Sequence, residues 1–102
     1  MGRLTISRYR HERIILTEGD AQVILTVTRV SQGAEKCWLK VQHSRYAHPQ
    51  EERIDMQEDL ILDIAQSQVV IRLHSVPEQL LVKLTITAPS AVRVQWVPPC
   101  SS

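Results

Sequence analysis

The stretch RIILTEGDAQVILTVTRV at 13–30 returns in altered form as DLILDIAQSQVVIRLHSV at 59–76. Residues 12–30 lie on 58–76 without a gap, at an offset of 46. Glu12, Ile15, Leu16, Gln22, Val23 and Val30 meet identical residues at Glu58, Ile61, Leu62, Gln68, Val69 and Val76. Ile14/Leu60, Leu25/Ile71 and Val27/Leu73 keep aliphatic bulk in the same phase. The offset then becomes 45, and CWLKVQHS (37–44) lies on VKLTITAP (82–89). A lone module of four or five short strands buries little apolar area and leaves open edges. Two fused copies can cover each other's faces, so the repeat predicts a built-in dimer: one compact unit that does within one chain what a homodimer does with two.

The repeated units read as strands. QVILTVTRV places Val23, Leu25 and Val27 on one face and Thr26 and Thr28 on the other. QVVIRLHSV separates Val69, Ile71 and Leu73 from Arg72 and His74 in the same way. CWLKVQ, LLVKLTIT and AVRVQWV are further β-rich runs, and TEGD, VSQGAE, SVPEQ and TAPS supply turns between them. The expectation is an all-β protein of antiparallel short-strand sheets. At most a short helix is expected near 49–58, with Pro49 at its first position. The repeat divides the 102 residues into a first module at 3–54, a second at 55–97 with no clear first strand, and a flexible tail at 98–102.

Composition excludes more than it assigns. MGRLTISRYR has no apolar run behind its charges, so it does not read as a secretory signal. No apolar run approaches the ~20 residues that span a bilayer as a helix. Cys37 and Cys100 match no CxxC spacing, which fits a reduced, cytoplasmic protein, with one structural disulfide as the alternative. Cys37, His43 and His48 fit no tight structural zinc pattern, and neither a metal nor a cofactor is expected. No nucleophile elbow or P-loop is present, and Glu51–Glu52 reads as a solvated run, so an enzyme is not expected. The net charge of +1 argues neither for nor against nucleic acid, but Arg3, Arg8, Arg10 and Arg13 crowd the first thirteen residues with His11 among them. Such a local stripe can hold phosphates on a nearly neutral chain.

Several of these stretches resemble the carbon storage regulator (CsrA/RsmA) family of bacterial RNA-binding translational regulators. LTISR (4–8) is similar to the family's first strand. HERIILTEGDAQVILTVTRV (11–30) is similar to its second and third strands. VKLTITAPSAVRVQW (82–96) is similar to its fourth strand, Ala–Pro turn and fifth strand. QEERI, at 50–54, resembles the end of a fifth strand in the first copy. The resemblance implies interlocked modules in which a first strand lies beside a fifth, that edge pair holding a GGA-containing RNA loop. In this chain it places 4–8 beside 91–97 and implies one RNA site. By the resemblance its residues would be Ile6 and Arg8 from the first strand and Val92, Val94, Gln95 and Trp96 from the last; strand phase and charge add Arg10 and Arg93 to the same basic face. The family's main fifth-strand arginine falls on Trp96 in one copy and Glu51 in the other. Trp96 can stack on a base but cannot supply a guanidinium's hydrogen bonds.

Read from the residues alone, Arg8 and Arg10 share one face of their strand and Tyr9 takes the other. They are either RNA contacts or exposed edge charges that block aggregation. Trp38, in an apolar strand, reads as a packing residue. Two functions therefore stand as expectations. One is a post-transcriptional regulator that binds GGA-type elements in messenger or small RNA. The other is a protein-interaction module that kept the fold, lost RNA binding and works by strand addition at an edge left open beside the second copy. The expected partners are RNA or, on the second reading, a protein, and no membrane. The chain would be a pseudo-dimeric monomer or a homodimer.

Overall fold

The computed structural model describes residues 2–9 and 11–97. They form nine strands: β1 (Gly2–Tyr9), β2 (Arg13–Glu18), β3 (Ala21–Ser31), β4 (Lys36–His43), β5 (Gln50–Asp55), β6 (Asp59–Asp63), β7 (Gln68–Glu78), β8 (Leu81–Ala88) and β9 (Arg93–Val97). Neighbouring strands are antiparallel, in a four-stranded sheet of order β1-β8-β7-β6 and a five-stranded sheet of order β5-β4-β3-β2-β9. The fold is therefore all-β. Among the described residues no helix is long and apolar enough to cross a membrane.

Period-two alternation decides what each strand buries. The five-stranded sheet turns Ile14, Leu16, Val23, Leu25, Val27, Leu39 and Ile54 inward; the four-stranded sheet answers with Ile6, Val69, Ile71, Leu73, Val82, Leu84 and Ile86. These side chains make one aliphatic core between the sheets. Cys37 is a free thiol within it, pushed up to about 12 by burial and by the charge of Asp55, so it is not a thiolate near neutrality. Its expected alternative partner, Cys100, lies with the tail at 98–102 outside the described residues.

The two copies agree in backbone detail. His11 and Gln57 both adopt positive φ, at 75° and 66°. The N–H groups that follow close the same turn: Glu12 donates to the Tyr9 carbonyl at 3.0 Å, and Glu58 to the Asp55 carbonyl at 3.1 Å. Glu35 and Leu80, 45 apart, also share positive φ. The β3–β4 ladder skips a residue between Val27↔Leu39 and Arg29↔Trp38, and the β7–β8 ladder skips its counterpart between Leu73↔Leu84 and Ser75↔Lys83.

This agreement revises the reading of residues 49–58. They hold strand β5, not a helix, and β5 is the first strand of the second copy. Leu4↔Ile86, Ile6↔Leu84 and Arg8↔Val82 join β1 to β8; Gln50↔Val41, Glu52↔Leu39 and Ile54↔Cys37 join β5 to β4. The first members differ by 46 and the second by 45, as in the rest of the repeat. The second module therefore has its first strand, and the boundary falls before Gln50 rather than after Ile54. QEERI is not the first copy's fifth strand. That strand is missing, because only residues 44–49 connect β4 to β5. The four-stranded sheet consequently ends at β6, where its companion adds β9 to β2.

A carboxylate fastens the copies together. Glu18, at the end of β2, accepts backbone N–H bonds from Ala65, Gln66 and Ser67 at 3.0–3.1 Å and the Ser67 hydroxyl at 2.7 Å. Those bonds favour its charged form and hold its pKa below the usual carboxylate value, the Ser67 bond foremost.

Candidate nucleic-acid interface

β1 and β9 do not pair, contrary to the expectation that 4–8 and 91–97 lie side by side in one ladder. β1 zips onto β8 from Gly2↔Ala88 to Tyr9↔Leu81, and β9 onto β2 from Arg13↔Val97 to Thr17↔Arg93. Each is thus an outer edge of its own sheet. They meet across a groove of about 430 Å³, with Arg3 and Leu4 on one bank, Val92 and Val94 on the other, and Ala88 and Pro89 at one end.

This arrangement separates the eight residues expected at the RNA site. Ile6 is a core residue. Arg8 shares the inward phase of Leu4 and Ile6 and is only 8% exposed. Its Nη1 lies 3.5 Å from Glu12 Oε2, and Glu12 Oε1 accepts the Tyr9 N–H at 2.6 Å. Burial draws the Arg8 pKa down, and the Glu12 charge opposes that. Arg8 is therefore tied to the β1–β2 turn rather than presented at the surface. Arg10 lies outside the described residues. Val92 is buried and Val94 half-buried, both on the core side, whereas Arg93 and Gln95 are exposed on the outer face of the five-stranded sheet. The backbone of Trp96 pairs with Ile14; its side chain lies outside the described part.

That outer face gathers positive charge from strands distant in sequence. The ladders set Arg13 beside Thr26, Thr26 beside Lys40, and Lys40 beside Glu51. Strand spacing puts Arg13 and Lys40 about 10 Å apart at the backbone. After the bulge, Arg29 stands opposite Trp38, its guanidinium 4.3 Å from the ring centroid, and Trp38 stands opposite Arg53. Trp38 therefore lies on the outer face, half-buried under an arginine, and not in the core as its apolar surroundings in the sequence suggest. Arg53 is held by Asp55 at 3.2 Å, and Glu51 accepts the Thr28 hydroxyl at 2.8 Å. Among the described residues no carboxylate pairs with Arg13, Arg29, Lys40 or Arg93.

The platform was only partly visible in the sequence. Arg13 and Arg93 stood out in basic or terminal strands. Arg29, Trp38 and Lys40 become neighbours only once strand register and the bulge at Thr28 are known. Among the described residues no three His, Cys, Asp or Glu side chains converge as metal ligands. No family model, curated protein or solved structure matches the chain.

Proposed function

We propose that the chain binds single-stranded RNA on the outer face of its five-stranded sheet and acts in the cytoplasm as a post-transcriptional regulator. The observation that carries this reading is the exposed set of Arg13, Arg29, Lys40 and Arg93 on one face, with no carboxylate partner among the described residues and with the Arg29–Trp38 contact among them. Arg13, Lys40 and Arg93 meet phosphates, a contact that releases counterions and makes affinity fall with salt. The Arg29 guanidinium, 4.3 Å from the Trp38 ring centroid, offers its other side to an unpaired base. Guanine suits that cluster because its O6 and N7 accept two arginine hydrogen bonds. The resemblance to the carbon storage regulators supports RNA as the nucleic acid and GGA as the element. The face replaces Arg8 as the source of charge, since Arg8 is committed to Glu12.

Fluorescence anisotropy of a labelled GGA-loop RNA hairpin, beside the same hairpin with the GGA scrambled, tests this at two salt concentrations. Tighter binding of the GGA hairpin that weakens with salt supports the reading. Absence of binding at low salt, or equal affinity for both hairpins, refutes GGA-directed regulation.

A further inference from the structure

The flank opposite the β1–β9 groove is built from the same parts with one missing. In the five-stranded sheet, β9 lies on the outer edge of β2 and sets Val94 opposite Leu16. Ile14 and Leu16 are there 0% exposed. Their counterparts 46 residues on are Leu60 and Leu62 of β6, both only half-buried, while Ile61 between them is 56% exposed. No strand among the described residues pairs with the outer edge of β6. Beneath that edge runs a groove of about 260 Å³ with Val23, Val41, Leu60 and Leu62 at its apolar surface. Gln50 and Glu52 of β5 form the far bank, where Leu4 and Ile6 stand in the other copy.

The edge is held ready rather than loose. His43 Nε2 lies 2.8 Å from the Ile64 carbonyl and 3.1 Å from that of Asp63, and its Nδ1 accepts the Arg45 N–H at 3.0 Å. Glu18 clamps the turn that follows. A preformed edge spares an incoming strand part of the ordering cost of binding.

We infer that the outer edge of β6 and this groove accept one extended segment of a partner protein, antiparallel to β6, with β-branched aliphatic residues inward and a basic residue opposite Asp63. The β2–β9 pair supplies the template. It maps the inward positions onto Leu62 and Leu60 and the outward ones onto Asp63, Ile61 and Asp59. Asp59 already holds Arg72 through bonds of 2.7 and 3.1 Å. Asp63 has no ion pair among the described residues, so it is the carboxylate that selects a cation. The same charges disfavour a second copy as occupant. Pairing β6 with itself about Ile61 would set Asp59 of each chain against Asp63 of the other, and like charges directly opposite destabilise a ladder. Edge carboxylates also guard against unspecific pairing; here they admit a basic strand and reject an acidic one.

The probe is a fluorescein-labelled peptide, Ser-Val-Arg-Val-Ile-Val-Thr-Ser, titrated into the full chain, with a twin carrying Asp in place of Arg. The basic peptide binds and the acidic twin binds more weakly. Asp63→Lys reverses that order, each change being about fivefold, as for an ion pair worth ~1 kcal/mol. N-methylation of the alternate amides that face β6 abolishes binding, while methylation of the other set is tolerated. The inference is overturned if neither peptide binds. It is equally overturned if both methylation patterns act alike, if Asp63→Lys leaves the order unchanged, or if the free chain dimerises through β6.

Discussion

Leu16 and Leu62 occupy the same position in the two copies, yet Leu16 is sealed and Leu62 is half-exposed. Leu16 stands opposite Val23 and Leu62 opposite Val69. The difference lies at the outer edge, where Leu16 is covered by β9 and Leu62 by no strand among the described residues. One missing strand thus divides a symmetric scaffold into a closed flank and an open one.

The first prediction follows from that asymmetry. Leu16→Ala removes a fully enclosed side chain and is expected to cost about 2–5 kcal/mol. Leu62→Ala forfeits less burial and is expected to cost about half as much. Urea unfolding of the two variants checks this; equal costs would mean that Leu62 is as enclosed as Leu16.

Arg8 separates stability from binding. Its charge is matched to Glu12 on the inner side of β1, so Arg8→Ala is expected to destabilise the fold by about 1–3 kcal/mol. RNA affinity at fixed salt should change less than twofold in the folded variant. Urea melts and hairpin titrations on one preparation read both; a large affinity loss at unchanged stability would restore Arg8 to the RNA site.

The phase of Arg8 was legible in the sequence, because residues 4, 6 and 8 alternate with exposed Thr5 and Ser7. The arginines crowded around it mask that alternation. Strand character and the all-β class were legible too, since aliphatic residues at every second position leave few alternatives. β5 was not legible as a first strand: it turns Gln50 and Glu52 toward the inner side, and only Ile54 there is apolar. The Arg29–Trp38 stack was hidden for another reason. A one-residue bulge rephases β3 against β4, and a sequence read strand by strand does not reveal where ladders slip.

Glu18 gives the fold an acid-sensitive joint. Its pKa is depressed in the folded state, so its contribution is present above the unfolded value of roughly 4.3 and is lost as pH falls through the folded value. Glu18→Gln is expected to lower the melting temperature near neutrality. The gap to the parent chain should close in acid. Thermal melts between neutrality and acid check this, and a gap independent of pH would remove the carboxylate from the account.

In the proposed RNA site Trp38 holds the Arg29 guanidinium over its ring. Trp38→Ala is expected to weaken hairpin binding by about 0.5–1 kcal/mol, the worth of the exposed cation–π contact that positions Arg29, while Trp38→Phe, which keeps an aromatic surface, retains most of the affinity. If Phe and Ala weaken binding equally, stacking is not its role.

The proposed RNA site puts phosphates on the five-stranded sheet. Its most direct test is the salt dependence of hairpin affinity for the parent chain and the Arg13→Ala/Lys40→Ala double variant. Each lost phosphate contact lowers the slope of log affinity against log salt by about 0.7 for single-stranded RNA, so a drop of about 1.4 is predicted. An unchanged slope in the folded double variant would place the RNA elsewhere and contradict the account.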